Sequence, residues 1–343
     1  MVYCLGCHRG ITDSIVPYSR IDTTSHAFTW SRDTLGIYPS LLNGVWGTSP
    51  TNVFAVGLIY SSYSQPPVNI LHWDGNVWSQ VNYLEGELVG IYGFTSSDFW
   101  VVGYYQVDQR GYALISHWDG SIWTTWKPPQ FSQLTSIWGT SSSDMYAVGR
   151  GGLILHFDGS TWRLQTSGTS IDLLSVWGTD AAHLYSAGYD LSSGRGILLE
   201  FKSTGWTTVT NGSTVADSST LYGGFASVWG PSPDTLFLVG ALSYQGAPGH
   251  WRLSSIPFNS PGQNLVGLSA FNAVRGQSGA DAFICGSHDL IIHWNGNSWN
   301  TFQSYFDKSK NSDLRSIWFE GGCVFIVGYD QSMSTAEIYR GYR

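Results

Sequence analysis

Short hydrophobic runs, separated by Gly, Ser and Asp, recur along the whole chain. One unit contains four of them, at Leu134–Gly139, Asp144–Gly149, Leu153–Phe157 and Trp162–Gln165. Each is rich in β-branched and aromatic residues, which is typical of β-strands bounded by turns. Hydrophobic positions spaced as in an amphipathic helix are absent over any useful length. The pattern therefore predicts four strands per unit, here called A, B, C and D.

A Trp-Gly pair in strand A and a second glycine at the end of strand B mark the units. The first residue of the pair lies eleven positions before the second glycine in six units, and ten before it in the seventh, from Trp318 to Gly328. Tyr92 and Arg275 stand in place of the tryptophan in two units. Strand repeats of about 40–50 residues indicate propeller blades. We therefore predict an all-β fold, a seven-bladed β-propeller of four-stranded antiparallel blades.

The seventh unit ends before a strand D, and an unassigned strand precedes the first unit. That strand is His26–Ser31, in which Trp30 stands where Trp78 stands in unit one. Pairing of the two ends closes the last blade and leaves no open sheet edge. We predict an N-terminal extension at 1–25 and a propeller at 26–343. The extension should emerge beside the C-terminus, on the face that bears the C–D turns.

Composition limits the classes of partner. The formal net charge is −8, charged residues are 12% of the chain and no basic cluster occurs, so nucleic acids and anionic membranes are not expected partners. No apolar run approaches the roughly 20 residues of a membrane span. Abundant Gly, Ser, Thr and aromatic residues suit an exported protein. We expect an extracytoplasmic location (periplasmic, cell-surface or secreted), with the targeting segment outside this sequence.

The repeats resemble those of secreted or periplasmic bacterial β-propellers. The segments Val45–Gly57 and Ile70–Gly75, followed by Trp78, carry the resemblance. These proteins are grouped loosely with sialidase-type and kelch-like repeats, and the resemblance implies the fold rather than an activity. Asp74 and Trp78 lie one residue closer together than in the sialidase Asp-box, so no sialidase site is carried over.

The sequence Cys4-Leu5-Gly6-Cys7-His8 is the C-x-x-C-H signature of c-type haem attachment. Two thiols at this spacing reach the two vinyl groups of one porphyrin, and the adjacent histidine reaches the iron. These five residues resemble c-type cytochromes. The resemblance implies one covalent haem c, with thioethers at Cys4 and Cys7 and His8 as the proximal ligand. His26 is a candidate distal ligand.

Other interpretations of these cysteines stay open. Cys4 and Cys7 could form a local disulfide or half of a zinc site, although no second C-x-x-C completes a zinc shell. Leu5-Gly6-Cys7 also resembles a lipoprotein cleavage box, in which Cys7 would be acylated. An N-terminal tail without a function is the remaining interpretation.

Histidines and tryptophans that recur with the repeat are interpreted as structural. The histidines are assigned to the end of strand C, and the tryptophans are expected to fill the space between neighbouring blades. The histidines are His72, His117, His156, His250 and His293; the tryptophans are Trp46, Trp138, Trp177, Trp229 and Trp318 in strand A, and Trp78, Trp123, Trp162, Trp206 and Trp299 in strand D. Cys285 and Cys323 fall at opposite strand ends and are predicted to be separate thiols.

Connections that vary between units favour a binding face. The B–C and D–A connections share one face of a propeller, opposite the C–D turns, and several are long and polar, such as Tyr60–Pro67. A partner protein or a glycan suits such loops. Local motifs for nucleophilic catalysis are absent, so we predict a protein that is not an enzyme. A hydrolase using loop carboxylates at Asp108, Asp190 and Asp234 stays open.

Two functional hypotheses follow. The first is an exported, cytochrome-like electron-transfer protein in which one haem on the N-terminal segment meets a redox partner or sister subunits, and the propeller serves as scaffold. The second is a haem-free extracytoplasmic propeller that binds a protein or glycan through its B–C/D–A loop face.

Overall fold

The computed structural model describes residues 24–81, 84–129, 132–203, 205–211, 221–256, 271–302 and 311–343. Within these ranges the chain forms seven antiparallel sheets of four strands each. Every sheet is one blade, and its strands follow the order A to D from the centre outwards. The predicted seven-bladed β-propeller is therefore confirmed.

The first strand, β1 (Thr29–Leu35), belongs to the last blade. Blade 1 consists of β2 (Ile37–Ser49), β3 (Asn52–Tyr60), β4 (Val68–Trp73) and β5 (Trp78–Gln80). Blade 2 consists of β6 (Glu87–Thr95), β7 (Asp98–Val107), β8 (Arg110–Trp118) and β9 (Trp123–Trp126). Blade 3 consists of β10 (Leu134–Ser141), β11 (Asp144–Gly149), β12 (Ile154–Phe157) and β13 (Trp162–Gln165), with a 3-10 turn at Arg150–Gly152.

The remaining blades follow the same plan. Blade 4 consists of β14 (Asp172–Asp180), β15 (His183–Tyr189), β16 (Gly196–Lys202) and β17 (Gly205–Asn211). Blade 5 consists of β18 (Phe225–Ser232), β19 (Thr235–Gly240), β20 (Ser243–Ala247) and β21 (His250–Leu253). Blade 6 consists of β22 (Phe271–Ser278), β23 (Asp281–Gly286), β24 (Leu290–Trp294) and β25 (Trp299–Thr301). Blade 7 consists of β26 (Ser312–Glu320), β27 (Cys323–Asp330), β28 (Ala336–Tyr342) and β1.

The two ends of the chain close the ring as predicted. Strand β1 pairs with β28 in antiparallel register, and Trp30 lies opposite Gly341 as Trp78 lies opposite Trp73 in blade 1. The backbone N–H of Thr24 donates to the carbonyl of Asn295, in the C–D turn of blade 6. Described residues just before β1 therefore lie on the face with the C–D turns, and the preceding residues 1–23 lie outside the described ranges.

The glycine that ends strand B is required for a steric reason. This glycine pairs with strand A next to a β-bulge; in blade 2, for example, Gly103 pairs with Leu88 and the register shifts between Leu88 and Gly90. A Cβ on Gly103 would lie 1.9 Å from the carbonyl oxygen of Glu87, and one on Gly188 would lie 1.9 Å from that of Asp172. Because real Cβ atoms cannot approach an oxygen so closely, only glycine fits at these positions.

The glycine of the Trp-Gly pair accommodates the tryptophan of the preceding blade. A Cβ on Gly178 would lie 2.6 Å from Cη2 of Trp138, and one on Gly276 would lie 2.6 Å from Cη2 of Trp229. The indole therefore lies against the neighbouring backbone, which confirms that these tryptophans pack between blades. Blade 7 has Phe319 in place of this glycine, after blade 6 has Arg275 in place of the tryptophan.

The hydrophobic core lies between adjacent blades rather than at one centre. One buried cluster joins Trp100 and Val102 of blade 2 to Ile137 and Met145 of blade 3, and the other clusters likewise span neighbouring blades. Burial between blades makes the stability of each blade depend on its two neighbours.

Strand A serines add hydrogen bonds across the blade boundaries. The hydroxyl of Ser136 accepts from the N–H of Val176 at 3.2 Å, which joins blade 3 to blade 4. The hydroxyl of Ser316 accepts from the N–H of Val45 at 3.2 Å, which joins blade 7 to blade 1. The ring is therefore closed by side-chain bonds near the channel as well as by β1 at its rim.

Candidate functional site

The seven innermost strands enclose a central channel. A cavity of about 470 Å³ lies within the channel, and a second of about 780 Å³ opens at its end among the A–B turns. The face that bears the A–B and C–D turns is called the A–B face here, and the second cavity is called the mouth. Cavities of this size hold small ligands or short peptide segments.

Aromatic side chains form an arc around the channel at the mouth. Ring centroids of Tyr92 and Trp138 are 6.3 Å apart, those of Trp138 and Trp177 are 6.2 Å apart, and those of Trp177 and Trp229 are 6.2 Å apart. The arc therefore runs through blades 2 to 5 without a break. Phe94 also lines the mouth.

The arc is partly open to the cavity. Trp138 and Trp229 are buried, with 4% and 3% of their surface exposed, whereas Tyr92, Phe94 and Trp177 are half-buried. Sequence reasoning treated the strand A tryptophans only as core and so missed that they also line a cavity. The missed signal is that all of them occupy one position of the innermost strand, which places them around one channel.

Arg275 interrupts the ring of tryptophans in blade 6. Its guanidinium carbon lies 5.1 Å from the ring centroid of Trp177, and its Nη1 donates to the carbonyl of Val274 at 2.7 Å. Nη1 also lies 3.4 Å from the hydroxyl of Ser227 and 3.5 Å from the carbonyl of Val228. Burial lowers the pKa of Arg275 to about 10, which leaves the guanidinium charged at neutral pH.

The recurrent strand C histidines are paired within their own blades. Nε2 of His117 lies 2.8 Å from Oδ1 of Asp98, and Nε2 of His156 lies 2.7 Å from Oδ1 of Asp144. Each ring also stacks on a strand B aromatic residue of its own blade, as His156 does on Tyr146 with centroids 4.3 Å apart. The same arrangement holds His72 and His293. The structural interpretation is therefore confirmed for these four histidines.

The assignment of His250 to strand C was wrong. His250 begins β21, which is strand D of blade 5, and Gln245 occupies the histidine position opposite Phe237. The following residue, Trp251, lies opposite Gly246 as Trp78 lies opposite Trp73. Every blade therefore has a strand D tryptophan at this position, and Trp251 is the one that the sequence pattern missed.

The N-terminal segment covers the histidine of blade 6. Nδ1 of His26 lies 2.8 Å from Nδ1 of His293, whose Nε2 lies 2.8 Å from Oδ1 of Asp281. Nε2 of His26 lies 3.1 Å from the hydroxyl of Ser298. Because the carboxylate only accepts, neutral His293 donates from Nε2 and accepts at Nδ1 from His26. His26 in turn accepts from Ser298, so the four side chains form one hydrogen-bonded chain.

Asp281 anchors this cluster. Arg343 makes an ion pair with Asp281, and the hydroxyl of Thr24 donates to its Oδ1 at 3.2 Å. Burial raises the pKa of Asp281, but the hydrogen bonds from His293 and Arg343 outweigh that effect and hold it below its ordinary value. Burial lowers the pKa of both His26 and His293, and the proximity of His293 lowers that of His26 further. The cluster therefore favours a carboxylate with two neutral histidines.

Of the residues predicted to bind haem, only His26 lies within the described ranges. Cys4, Cys7 and His8 lie outside the described residues. His26 is described, and both of its ring nitrogens are engaged, with His293 and Ser298. Binding of haem iron by His26 would therefore require one of these bonds to break. Among the described residues, no group of three or more His, Cys, Asp and Glu is arranged to hold a metal ion.

The two remaining cysteines and the loop carboxylates are separated. Cys285 and Cys323 are buried free thiols, as predicted. Asp108 and Asp190 lie in B–C connections, whereas Asp234 lies in the A–B turn of blade 5. A shared carboxylate site would need these acids on one face, but they lie on opposite faces of the ring. The three do not form a carboxylate site together.

The fold is similar to that of several solved β-propellers. The chain matches YCF48 bound to D1 peptide with a TM-score of 0.65 at 13% identity, over 96% of this chain and all of that one. It matches virginiamycin B lyase from Staphylococcus aureus, a catalytically inactive form with quinupristin, with a TM-score of 0.63 at 11% identity, over 91% and 99%. It also matches the Cps50 (Swd1) propeller domain of Myceliophteria thermophila with a TM-score of 0.60 at 10% identity, over 91% and 99%.

At these identities the likeness shows the fold alone. No protein-family model matches the chain, and no curated protein matches it. Within the described ranges, no helix is both long and apolar enough to cross a bilayer.

Proposed function

We propose that this protein is a non-catalytic binding module that takes a peptide segment of a partner protein at the mouth on the A–B face. The observation that carries the proposal is the aromatic arc, in which Tyr92, Phe94 and Trp177 are half-buried around a cavity of about 780 Å³. Aromatic surfaces with a polar rim are the usual composition of peptide-binding sites. Thr140 and Thr179 supply hydroxyls at this rim.

The comparisons support a binding role without specifying the ligand. One similar structure, YCF48, is described with a bound peptide, and the lyase is described with quinupristin. Among the described residues that line the channel and the mouth, Asp180 and Glu320 supply the carboxylates, and histidine is absent. Such a lining suits recognition better than acid–base chemistry.

Selection of peptides from a displayed library, followed by calorimetry, tests the proposal. Thr179→Arg places a long side chain in the mouth and should abolish binding of the selected peptides. Tyr63→Arg is the matched change on the B–C/D–A face, where Tyr63 is 78% exposed, and should leave binding intact. Loss of binding in Tyr63→Arg alone would move the site to the loop face, and failure to select any peptide would refute the module.

The C-x-x-C-H sequence supports a second candidate function, electron transfer. We propose that one haem c is attached at Cys4 and Cys7 with His8 as proximal ligand, and that a redox partner or sister subunit approaches it. When bound, the haem supplies a one-electron redox couple. Thr24 and His26, the described residues that follow this segment, are held against blade 6.

An absorption spectrum tests this second candidate. Protein made in a periplasm with haem-maturation enzymes should show a Soret band that survives denaturation and extraction. The double variant Cys4→Ala/Cys7→Ala should lack the band and keep its β-sheet circular dichroism. A colourless wild-type protein with the same circular dichroism would refute the electron-transfer role and leave the binding module standing.

A further inference from the structure

The channel contains a positive charge, that of Arg275, which neutral groups surround. The three acceptors around Nη1 of Arg275 are the neutral oxygens of Ser227, Val228 and Val274. Among the described residues, no carboxylate makes an ion pair with Arg275. Cations held away from bulk water are costly unless an anion or several dipoles compensate them. The three neutral oxygens compensate the charge of Arg275 in part, and an anion on the guanidinium would complete the compensation.

The other arginine of the channel provides the contrast. Nε of Arg315 lies 3.2 Å from Oδ2 of Asp313, and its Nη1 donates to Oδ1 of Asn43 at 2.6 Å. The charge of Arg315 is therefore paired with Asp313, and its hydrogen bond to Asn43 links blade 7 to blade 1. Arg275 occupies a position at which the other blades place an aromatic side chain, and it has no comparable partner among the described residues.

The aromatic side chains near Arg275 favour a ligand with a flat group next to its anion. Its guanidinium lies over Trp177, which continues the aromatic arc to Trp138 and Tyr92. Burial raises the pKa of Tyr92, although Arg275 acts to lower it, so the phenol stays neutral beside the cation. A ligand with its anion on Arg275 would therefore place its next group against flat aromatic surfaces.

We propose that the channel binds a carboxylate joined to an aromatic group, with the carboxylate on Arg275 and the ring on the arc formed by Tyr92, Trp138 and Trp177. A guanidinium pairs a carboxylate through two parallel hydrogen bonds. A peptide with a free C-terminal aromatic residue and a free aromatic acid offer the same chemistry. This inference rests on the proposed function, since Arg275 lines the cavity within the channel, which shares Tyr92, Trp138 and Trp177 with the mouth.

Calorimetry with paired probes tests the proposal. The probes are N-acetyl-phenylalanine and its amide, and a hexapeptide that ends in phenylalanine as the acid or the amide. We expect each acid to bind at least about tenfold more tightly than its amide, as a charged hydrogen-bonded pair implies. Tight binding of the peptide acid alone identifies a chain terminus as the ligand, and equal binding of both acids identifies the free acid.

Substitutions separate this inference from the proposed function. Arg275→Gln should remove the preference for the acids, whereas Arg275→Lys should keep part of it. Arg163→Gln, at an exposed ion pair with Asp158, is the control and should keep all of it. Suppose that the wild type binds acids and amides equally and that Thr179→Arg abolishes binding of both. That result would support the proposed binding module and refute this inference. If no probe binds wild type, this inference fails, while the peptide selection judges the module separately.

Discussion

Blades 3 and 6 are built from the same repeat, yet they differ at two positions that the repeat otherwise fixes. In blade 3, strand A carries Trp138, and the pair of His156 and Asp144 keeps 24% and 28% of its side-chain surface exposed. In blade 6, strand A carries Arg275, and the pair of His293 and Asp281 keeps only 0% and 5%. The repeat thus provides one scaffold, and blade 6 departs from it on the same face of the ring.

The difference shows how a repeat protein acquires individual sites. The tryptophan of blade 3 needs a glycine in blade 4, and the loss of tryptophan in blade 6 coincides with Phe319 in blade 7. In blade 6 the strand A position that is tryptophan in blade 3 is occupied by Arg275, which places a positive charge in the channel. The histidine pair, which elsewhere faces solvent, here receives the N-terminal segment. Coupled changes in neighbouring blades therefore convert packing positions into candidate binding positions.

The largest expected effect comes from removing the two equivalent histidines. His293→Ala removes a hydrogen bond to the buried Asp281 carboxylate and should lower the free energy of unfolding by about 1.5–3 kcal/mol. His156→Ala removes a pair that water can replace and should cost about 1 kcal/mol. Chemical denaturation of both variants measures the difference. Equal costs would show that the covered and uncovered pairs are energetically the same.

A methyl group added at Gly178 tests how tightly the tryptophan of blade 3 packs against blade 4. Gly178→Ala places a Cβ against the indole of Trp138 and should cost about 1–3 kcal/mol through overpacking. The double variant Gly178→Ala/Trp138→Leu removes the clash, so its cost should be smaller than the sum of the two single costs. Additive costs in denaturation experiments would contradict contact between the two positions.

A smaller effect is expected from His26. His26→Ala removes the hydrogen bonds to His293 and Ser298 and should cost about 1 kcal/mol. The backbone of Thr24–Phe28 should then exchange its amide hydrogens faster, as mass spectrometry would show. His183→Ala, which removes an exposed histidine bonded to Asp180, should leave that exchange unchanged. Unchanged exchange in His26→Ala would show that the segment is held by other contacts.

The smallest effect is a pH dependence at the contact between His26 and His293. His26 and His293 have folded-state pKa values below the ordinary 6.5, so the unfolded chain binds more protons than the folded one just below that pH. Their stabilisation is therefore complete above pH 6.5 and is lost as the pH falls through the lowered values. Burial is the main cause of the lowered pKa of His293. The Asp281 carboxylate, which faces the same pair, raises that pKa, and the charge of Arg343 lowers it.

Hydrogen exchange of Thr24–Phe28 between pH 8 and pH 5, corrected for intrinsic rates, measures this effect. Protection should fall on the acidic side in wild type, and His26→Ala should show a weaker dependence. A pH-independent protection in wild type would exclude the histidine pair as the sensitive contact.

The architecture could be predicted because its cause is local and repeated. The glycine that ends strand B, such as Gly103, is fixed by a carbonyl of strand A, so its spacing appears in the sequence at every blade. The error at His250 arose in strands C and D of blade 5, whose positions that spacing does not fix. Its strand C ends at Ala247 with Gln245 in the histidine position, so the next histidine was assigned to the wrong strand.

The candidate sites were harder to predict because they depend on contacts between distant parts of the chain. Arg275 was recognised as a substituted residue, but its lack of a counter-ion depends on which blades surround it. The contact of His26 with His293 joins residues from opposite ends of the sequence, and no local pattern marks it. The described structure does not reach Cys4, Cys7 and His8, so the haem proposal still rests on the sequence.

The pairing of β1 with β28 has a consequence for synthesis on the ribosome. Strand β1 is translated before blades 1 to 6, whereas its partner β28 is translated after them. Until β28 emerges, β1 has no sheet to join, and the strand edges of the incomplete ring remain available to other chains. Nascent chains that stall in blade 7 should therefore be the species most dependent on chaperones.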